Sequence, residues 1–367
     1  MNIMRFKNRF VHTIILLALF WAANSCAKQA TLEADDNEKR ALEAFLKIDQ
    51  NNTWDAMSNG IAILMSQSGS GAVVTDTSFI FVNITAYDIK GNYVRDRVIY
   101  MESSSGVGMS TNDIVLAKQL GEYYNTWYYG ERLLPMREDM FILTSGMRSA
   151  LKGKREGDIF KVLLPTWTSD FGIYGSSRNA AYPIIYDIEI IKVVEDYDAY
   201  TLAVLQQYSD TYHGGVGPVK ETDEDSGAET IIDGLYVATI AAGDGDLLKS
   251  GDRISFNYTA TLLDGFIFET SIEDVARQNR IYNSSTTYGT VVDYQITNSN
   301  SSGSVDDGTG NTVSMPSGVN RAFLQMKAGG SAYVFFSYSF GFVNSTKQFG
   351  RLQPLVYHIV IEPAETD

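Results

Sequence analysis

The chain of 367 residues has one cysteine, three histidines and one long apolar run. Each scarcity excludes a class of chemistry. The lone cysteine, Cys26, closes the apolar run near the N-terminus, so everything after it is free of thiols. Disulfides and thiol catalysis are therefore excluded from the rest of the chain. His12 lies in the apolar run, His213 in a Gly-rich loop and His358 inside an apolar strand. No His/Cys/Asp cluster has metal-ligand spacing, and no Ser/His/Asp order can be assembled. Phosphate-cradling and dinucleotide glycine patterns are missing. Asp306-Asp307-Gly308 lacks the flanking ligands and the closing glutamate of a calcium loop. Positive charge is scarce as well, with 29 Lys and Arg against 44 Asp and Glu. A surface this acidic repels phosphate backbones and anionic lipid heads, which argues against nucleic acid as a partner.

The N-terminus reads as an address. Arg5, Lys7 and Arg9 form a basic start, an apolar stretch runs from Val11 to Trp21, and Ala22, Ala23, Asn24 and Ser25 lead to Cys26. This is the pattern of a bacterial export signal, too short and wrongly flanked for a stable membrane span. Small Ser25 before the cysteine resembles a lipobox, with Ala23 where leucine is usual. The expectation is a leader over 1–26, lipid on Cys26 and a polar, acidic tether over 27–38. The other reading is an ordinary secretory signal with an incidental cysteine. No second apolar run is long enough to cross a membrane, so anchoring would be by lipid alone. The expected address is the cell envelope, on a bacterial membrane and by preference the outer one, with the periplasmic or surface face left open. The leader holds three basic residues and no acidic ones, so the remainder is more acidic than the formal net charge of −15.

After the tether the chain repeats itself. Residues 59–94 align with 233–268 without a gap. Gly60, Gly69, Gly71 and Gly91 fall on Gly234, Gly243, Gly245 and Gly265, and Asn83, Thr85 and Ala86 fall on Asn257, Thr259 and Ala260. Glycines in register mark turns and close approaches that other residues enter poorly. A period this long exceeds that of solenoid repeats and reads as a duplicated domain. The expected units are 39–196, with an insertion at about 96–138, and 197–367, with loops at about 213–230 and 283–314.

Each repeat opens with a helical pattern. In 37–49 the apolar face is Ala41, Leu42, Phe45 and Ile48; in 198–208 it is Leu202, Leu205 and Tyr208. The simplest role of both is packing on the domain that follows. Strand signals come next, at Phe79 to Ile84 and at Ile254 to Tyr258, where Ser255 and Asn257 alternate with apolar residues. Late in each repeat stands a short helix, Met147 to Lys152 or Val319 to Met326, then a glycine turn and a strand, Ile159 to Leu164 or Ala332 to Phe336. Ile184 to Val194 and Leu355 to Ile361 close the two repeats. Residues 213–230 and 283–314 read as polar loops. Tyr123, Tyr124, Trp127, Tyr128 and Tyr129 form an aromatic cluster inside the insertion.

The run from Phe256 to Ser271, FNYTATLLDGFIFETS, resembles the signature of the FKBP-type peptidyl-prolyl isomerases. Gly318 to Met326, Lys327-Ala328-Gly329 and Ala332 to Phe336 are similar to that family's helix, glycine turn and strand. Ser337-Tyr338-Ser339-Phe340-Gly341 is similar to its Pro-x-Tyr-x-Tyr-Gly, and Pro354 to Ile361 to its last strand. The first repeat follows the same order, most closely at Tyr182 to Lys192. The resemblance implies an α+β fold of two tandem FKBP-like domains, each an antiparallel sheet wrapped around a short helix and each preceded by a short helix. It implies an apolar pocket between sheet and helix that catalyses rotation about X–Pro bonds without nucleophile, metal or cofactor.

Carried over by position, Tyr258, Phe268, Glu269, Phe340 and Tyr357 are the implied catalytic residues, and Met315 and Val319 the implied binding residues. Glu269 stands where the family has aspartate, Val319 where it has tryptophan, and Phe340 lacks a tyrosine hydroxyl. Pro316, beside Met315, has no N–H for a ligand carbonyl. In the first repeat Ile84, Val94, Arg95 and Met147 replace pocket residues, leaving Phe171 and Tyr186, so activity is expected in the second. The implied partners are proline-containing peptides or unfolded exported proteins. Alternatives are a non-catalytic peptide-binding scaffold or holdase on the same fold, and a lipoprotein that binds surface polymers through the Tyr/Trp cluster.

Overall fold

The computed structural model describes residues 36–48, 53–56, 59–91, 93–94, 132–137, 143–168, 183–222, 227–284, 286–297, 303–306, 312–341 and 352–363. Cys26, Phe171 and the aromatic cluster at 123–129 lie outside them. The chain forms two compact units, one of residues 1–70, 84–103 and 141–189 and the other of 71–83, 104–140 and 190–367.

One sheet comprises β1 (Asp55–Ala56), β2 (Ala62–Gln67), β3 (Phe79–Asp88), β4 (Tyr93–Val94), β5 (Arg132–Pro135), β6 (Ile159–Leu164) and β7 (Ile184–Val194). A hairpin of β8 (Val219–Thr222) and β9 (Glu229–Ile232) follows. A second sheet comprises β10 (Leu235–Ala241), β11 (Arg253–Leu262), β12 (Ile267–Thr270), β13 (Val291–Gln295), β16 (Ser331–Phe336) and β17 (Leu355–Ile361), with β14 (Gly303–Asp306) and β15 (Thr312–Met315) as a separate hairpin. The strand order β2-β6-β7-β3-β4 of the first sheet returns in the second as β10-β16-β17-β11-β12. β5 pairs with β3 as β13 pairs with β11. The repeat read from glycines is thus a repeat of topology.

Alternation sets the faces. In β11, Ile254, Phe256, Tyr258, Ala260 and Leu262 are buried while the residues between them face outward. β7 follows the same period with Ile184, Tyr186, Ile188 and Ile190. The inner face of the second sheet packs on α5 (Ser317–Phe323; α1 to α4 are 36–48, Ser145–Leu151, Tyr197–Tyr212 and Glu273–Gln278). In the first unit Met147, Ala150 and Leu151 of α2 are buried, and the Thr144 hydroxyl caps the helix by accepting from Met147 N at 3.2 Å.

The two preceding helices do pack on the sheets that follow them. Leu42 of α1 is buried with Ala62 and Leu163, beside Phe45 and Leu46. Leu205 of α3 is buried with Tyr236, Ala238, Phe335 and Val356, on the face of the second sheet opposite α5. The expected stripe needs correction in α1, because Ala41 is exposed and Ile48 is 79% exposed. The apolar face is Leu42, Phe45 and Leu46, a narrower stripe that a short helix meets with little more than one turn.

The repeated glycines have the expected physical causes. Gly60 and Gly234 have φ of +84° and +80°, the left-handed region that costs other residues energy. A Cβ on Gly69 would lie 2.2 Å from Glu156 O, and one on Gly243 would lie 2.4 Å from Ala328 O, so the chain crosses the same turn at the same closeness in both repeats.

Two stretches read as polar loops carry strands instead. Residues 213–230 hold β8 and the start of β9, and residues 283–314 hold β13, β14 and most of β15. Ser, Asn, Thr and acidic residues are compatible with strands whose faces meet water, and there the apolar alternation that signals a strand is too sparse to read. β13 shows the cost of that, since Val291 and Tyr294 alone point inward. Within the insertion at 96–138, β5 is the described strand.

Candidate functional site

Four of the residues implied by the resemblance, Tyr258, Phe268, Glu269 and Tyr357, meet through the register of β11, β12 and β17. Ala260 lies opposite Glu269 on β12 and opposite Tyr357 on β17. Cross-strand partners share a face, so Glu269 and Tyr357 flank the small Ala260 on the inner face. Tyr258 is two residues before Ala260 on the same face and therefore diagonal to Glu269. Its hydroxyl donates to Glu269 Oε1 at 2.8 Å.

Phe268 reaches the same cluster through a β-bulge. The register steps from Ala260↔Glu269 to Thr261↔Ile267, which leaves Phe268 as the extra residue. A bulge re-aims a side chain that strict alternation would send to the other face. The Phe268 ring meets Tyr357 edge-on, with centroids 6.3 Å apart and planes at 81°. Tyr258 and Tyr357 are 5.9 Å apart, and Phe336 stacks on Tyr357 at 5.8 Å and 16°. Sequence reasoning does not single out Phe336. Its position at the inner end of β16, opposite Leu355, is the signal that would have found it.

Phe340 sits on the 3-10 turn Tyr338–Phe340 and packs half-buried against the same core. Its carbonyl accepts from Ser317 Oγ at 3.3 Å, and the Arg321 guanidinium lies 5.7 Å from its ring centroid. Both contacts come from α5. Met315 and Val319, at 1% and 0% exposure, are floor rather than rim. Val319 is on α5, whose close approach to β16 depends on Gly318, where a Cβ would lie 2.7 Å from the Phe336 ring. Asn320 is fully buried and accepts from Tyr294 Oη at 2.8 Å, a polar pair inside the core. Pro316 precedes α5 and its carbonyl accepts from Val319 N at 3.0 Å and Asn320 N at 3.3 Å.

Burial pushes the Tyr258 hydroxyl well above its usual pKa, and the neighbouring Glu269 carboxylate pushes it further. Tyr357 is raised for the same two reasons, burial first. Both phenols therefore stay protonated at any physiological pH and keep a proton to donate. Phe268, Glu269 and Phe340 keep part of their surface, while Tyr258 and Tyr357 are buried beneath them. The result is an aromatic wall with one carboxylate and no nucleophile–base pair. Among the described residues no group of three His, Cys, Asp or Glu is placed to hold a metal. In the first unit the aromatic implied at Tyr186 is fully buried in the core.

No protein-family model matches this chain, and no curated protein matches it. Solved structures do. The chain is similar to FKBP-type structures. The three FKBP domains of wheat FKBP73 match at 12% identity and a TM-score of 0.25, over 84% of this chain and 97% of that one. FkpA from Escherichia coli matches at 17% identity and a TM-score of 0.28, over 48% of this chain and 69% of that one. A peptidyl-prolyl cis-trans isomerase from Pseudomonas syringae pv. tomato matches at 13% identity and a TM-score of 0.27, over 46% of this chain and 96% of that one.

Proposed function

We propose that this chain is an exported, lipid-anchored prolyl cis-trans isomerase built from two tandem FKBP-like domains, with its activity in the second. The observation that carries the reading is the cluster of Tyr258, Phe268, Glu269, Phe336 and Tyr357 on one face of the second sheet, with Phe340 beside it. Rotation about an X–Pro bond is slow because the amide bond has partial double-bond character, and it needs no bond to be broken. An aromatic wall takes the amide out of water and removes solvation that favours its planar, polar form. The half-exposed rings of Phe268 and Phe340 supply apolar contact for a proline ring, and Tyr258, tied to Glu269, gives the wall a fixed polar edge. The repeat of strand order supports the tandem reading, and Ile84 and Met147 in the first repeat support a structural role there.

Lipid on Cys26 would hold the protein at the membrane surface, with proline-containing segments of exported proteins as clients. Among the described residues no helix is long and apolar enough to cross a membrane. Detergent phase partitioning tests the anchor, because Cys26→Ser should move the protein from the detergent to the aqueous phase.

One observation favours the second reading, a non-catalytic binding scaffold. Pro316 stands just before α5 without an N–H, so a ligand carbonyl finds no backbone donor there. Exchange spectroscopy by NMR on a proline tetrapeptide, using residues 27–367, separates the two. Acceleration that is lost in Tyr258→Ala means an isomerase with its site in the second repeat. Line broadening of the peptide without acceleration means a binding scaffold.

A further inference from the structure

The 3-10 turn that carries Phe340 is held from two sides. On one side α5 grips it through Ser317 Oγ and Phe340 O, 3.3 Å apart. On the other, the first turn of α3 grips it, with Tyr338 Oη donating to Asp198 Oδ1 at 2.5 Å. Tyr197, the residue before Asp198, donates its hydroxyl to Leu352 O at 2.6 Å and packs its ring 5.4 Å from Tyr338. Two successive residues of α3 thus hold the chain at Tyr338 and again at Leu352, just before β17 and its Tyr357.

The first repeat contains the same device. Its 3-10 turn, Thr166–Thr168, follows β6 as Tyr338–Phe340 follows β16. Glu38 of α1 accepts from Thr166 N at 2.9 Å and also from the Thr166 hydroxyl. When Leu42 is aligned with Leu202, Glu38 falls on Asp198. Thr166 and Tyr338 each open their turn. The acceptor is an acid in both repeats, while the donor changes from threonine to tyrosine. A long-range contact that recurs with different donors is a property of the fold rather than of one side chain.

We propose that Asp198 is a positioning residue for the site, acting through Tyr338 to set the 3-10 turn and with it the Phe340 ring. This rests on the isomerase reading for its consequence, but not for its geometry. Burial, then the bond to Asp198, pushes the Tyr338 hydroxyl up to about 12, so it remains a donor throughout the working range of the protein. Removing the acceptor takes away the one side-chain hydrogen bond that ties Tyr338 to α3, and the turn keeps Ser317 of α5, the Tyr197 ring and the Ser337 N bond to Gly234 O. The aromatic floor at Tyr258 and Tyr357 is untouched. The expected kinetic signature is a loss in kcat larger than any change in KM, because ring placement matters most when the amide twists.

The test uses residues 27–367 with 4-fluorophenylalanine installed in place of Phe340, read by fluorine NMR beside prolyl exchange kinetics. Asp198→Ala and Tyr338→Phe should each move or broaden the fluorine resonance and lower kcat about three- to tenfold, the span of one hydrogen bond. The double variant should be no worse than either single one, because both remove the same bond. Asp198→Asn keeps an oxygen acceptor and should restore the resonance. Tyr338→Phe leaves α3 intact, so a folding defect of the Asp198 variants does not confound it. An unchanged fluorine resonance in both Asp198→Ala and Tyr338→Phe overturns the proposal. If the unsubstituted protein catalyses no exchange, the isomerase reading falls, and the fluorine resonance still decides the positioning role.

Discussion

The Tyr258 hydroxyl donates to Glu269 Oε1 at 2.8 Å across the bulged edge of β11 and β12, and this single bond orders the polar edge of an otherwise aromatic wall. A hydrogen bond to a charged group is worth ~1.5–3 kcal/mol, more than one between neutral groups. Tyr258→Phe keeps the ring and removes the bond. The expected outcome is a prolyl exchange rate lower by about tenfold, with the fold intact. Glu269→Gln keeps an acceptor of the same length and should cost less. Exchange rates of the two variants, measured at one protein concentration, check the order.

The packing of α5 on β16 gives a sharper test of the architecture. A Cβ on Gly318 would lie 2.7 Å from the body of the Phe336 ring, which is fully buried and stacked on Tyr357. The ring has nowhere to retreat. Overpacking of this kind costs ~1–3 kcal/mol. Gly318→Ala should lower the unfolding free energy by that amount, read as a lower urea midpoint at unchanged slope, and, by displacing Phe336, shift the aromatic resonances of Tyr357. A midpoint equal to that of the parent protein would mean that α5 sits farther from β16 than described.

Phe268 shows how far the sequence was legible. Strands, order of elements and the repeat itself follow from glycine register and from period-two alternation, and β6, β7 and β17 begin and end where the pattern places them. Alternation would nonetheless put Phe268 and Glu269 on opposite faces. The bulge that brings them together leaves no mark in composition, and only the resemblance to the FKBP signature placed both at one site. The hairpin strands β8, β9, β14 and β15 were illegible for another reason, since short runs rich in Ser, Thr and acidic residues look like loops. Asp198 and Tyr338 are 140 positions apart, and no local pattern links an acid in one helix to a turn near the chain's end.

Alkaline unfolding should report the buried phenols. Tyr258 and Tyr357 have folded pKa values raised well above the ordinary tyrosine value of 10.0, chiefly by burial. The folded state therefore binds their protons more tightly than the unfolded state does. The stability linked to them is fully present below about pH 10 and is lost as pH rises beyond it. The urea midpoint should be flat from pH 8 to 9.5 and fall above 10. In the Tyr357→Phe variant the fall should be shallower. A midpoint that does not move between pH 9 and 11 would show that these hydroxyls reach water.

Acid should loosen α3 through histidine. His213 follows the last turn of α3 and lies among Tyr208, Tyr333 and Phe335, with ring centroids 5.3, 4.9 and 5.1 Å away. Its Nε2 is buried with no hydrogen-bond partner among the described residues, and burial pushes its pKa below 6.5. His358, stacked on the same Tyr333 at 4.8 Å, is lowered for the same reason. A histidine whose folded pKa is depressed takes up its proton more readily in the unfolded state. Stability is then complete above about pH 6.5 and declines as pH falls below it. Thermal unfolding should show a lower midpoint at pH 5 than at pH 7.5. His213→Phe keeps the aromatic packing and removes the charge, so it should reduce that difference, and pairing it with His358→Phe should reduce it further. An acid limb unchanged in the double variant would assign the loss to carboxylates elsewhere and leave α3 insensitive to pH.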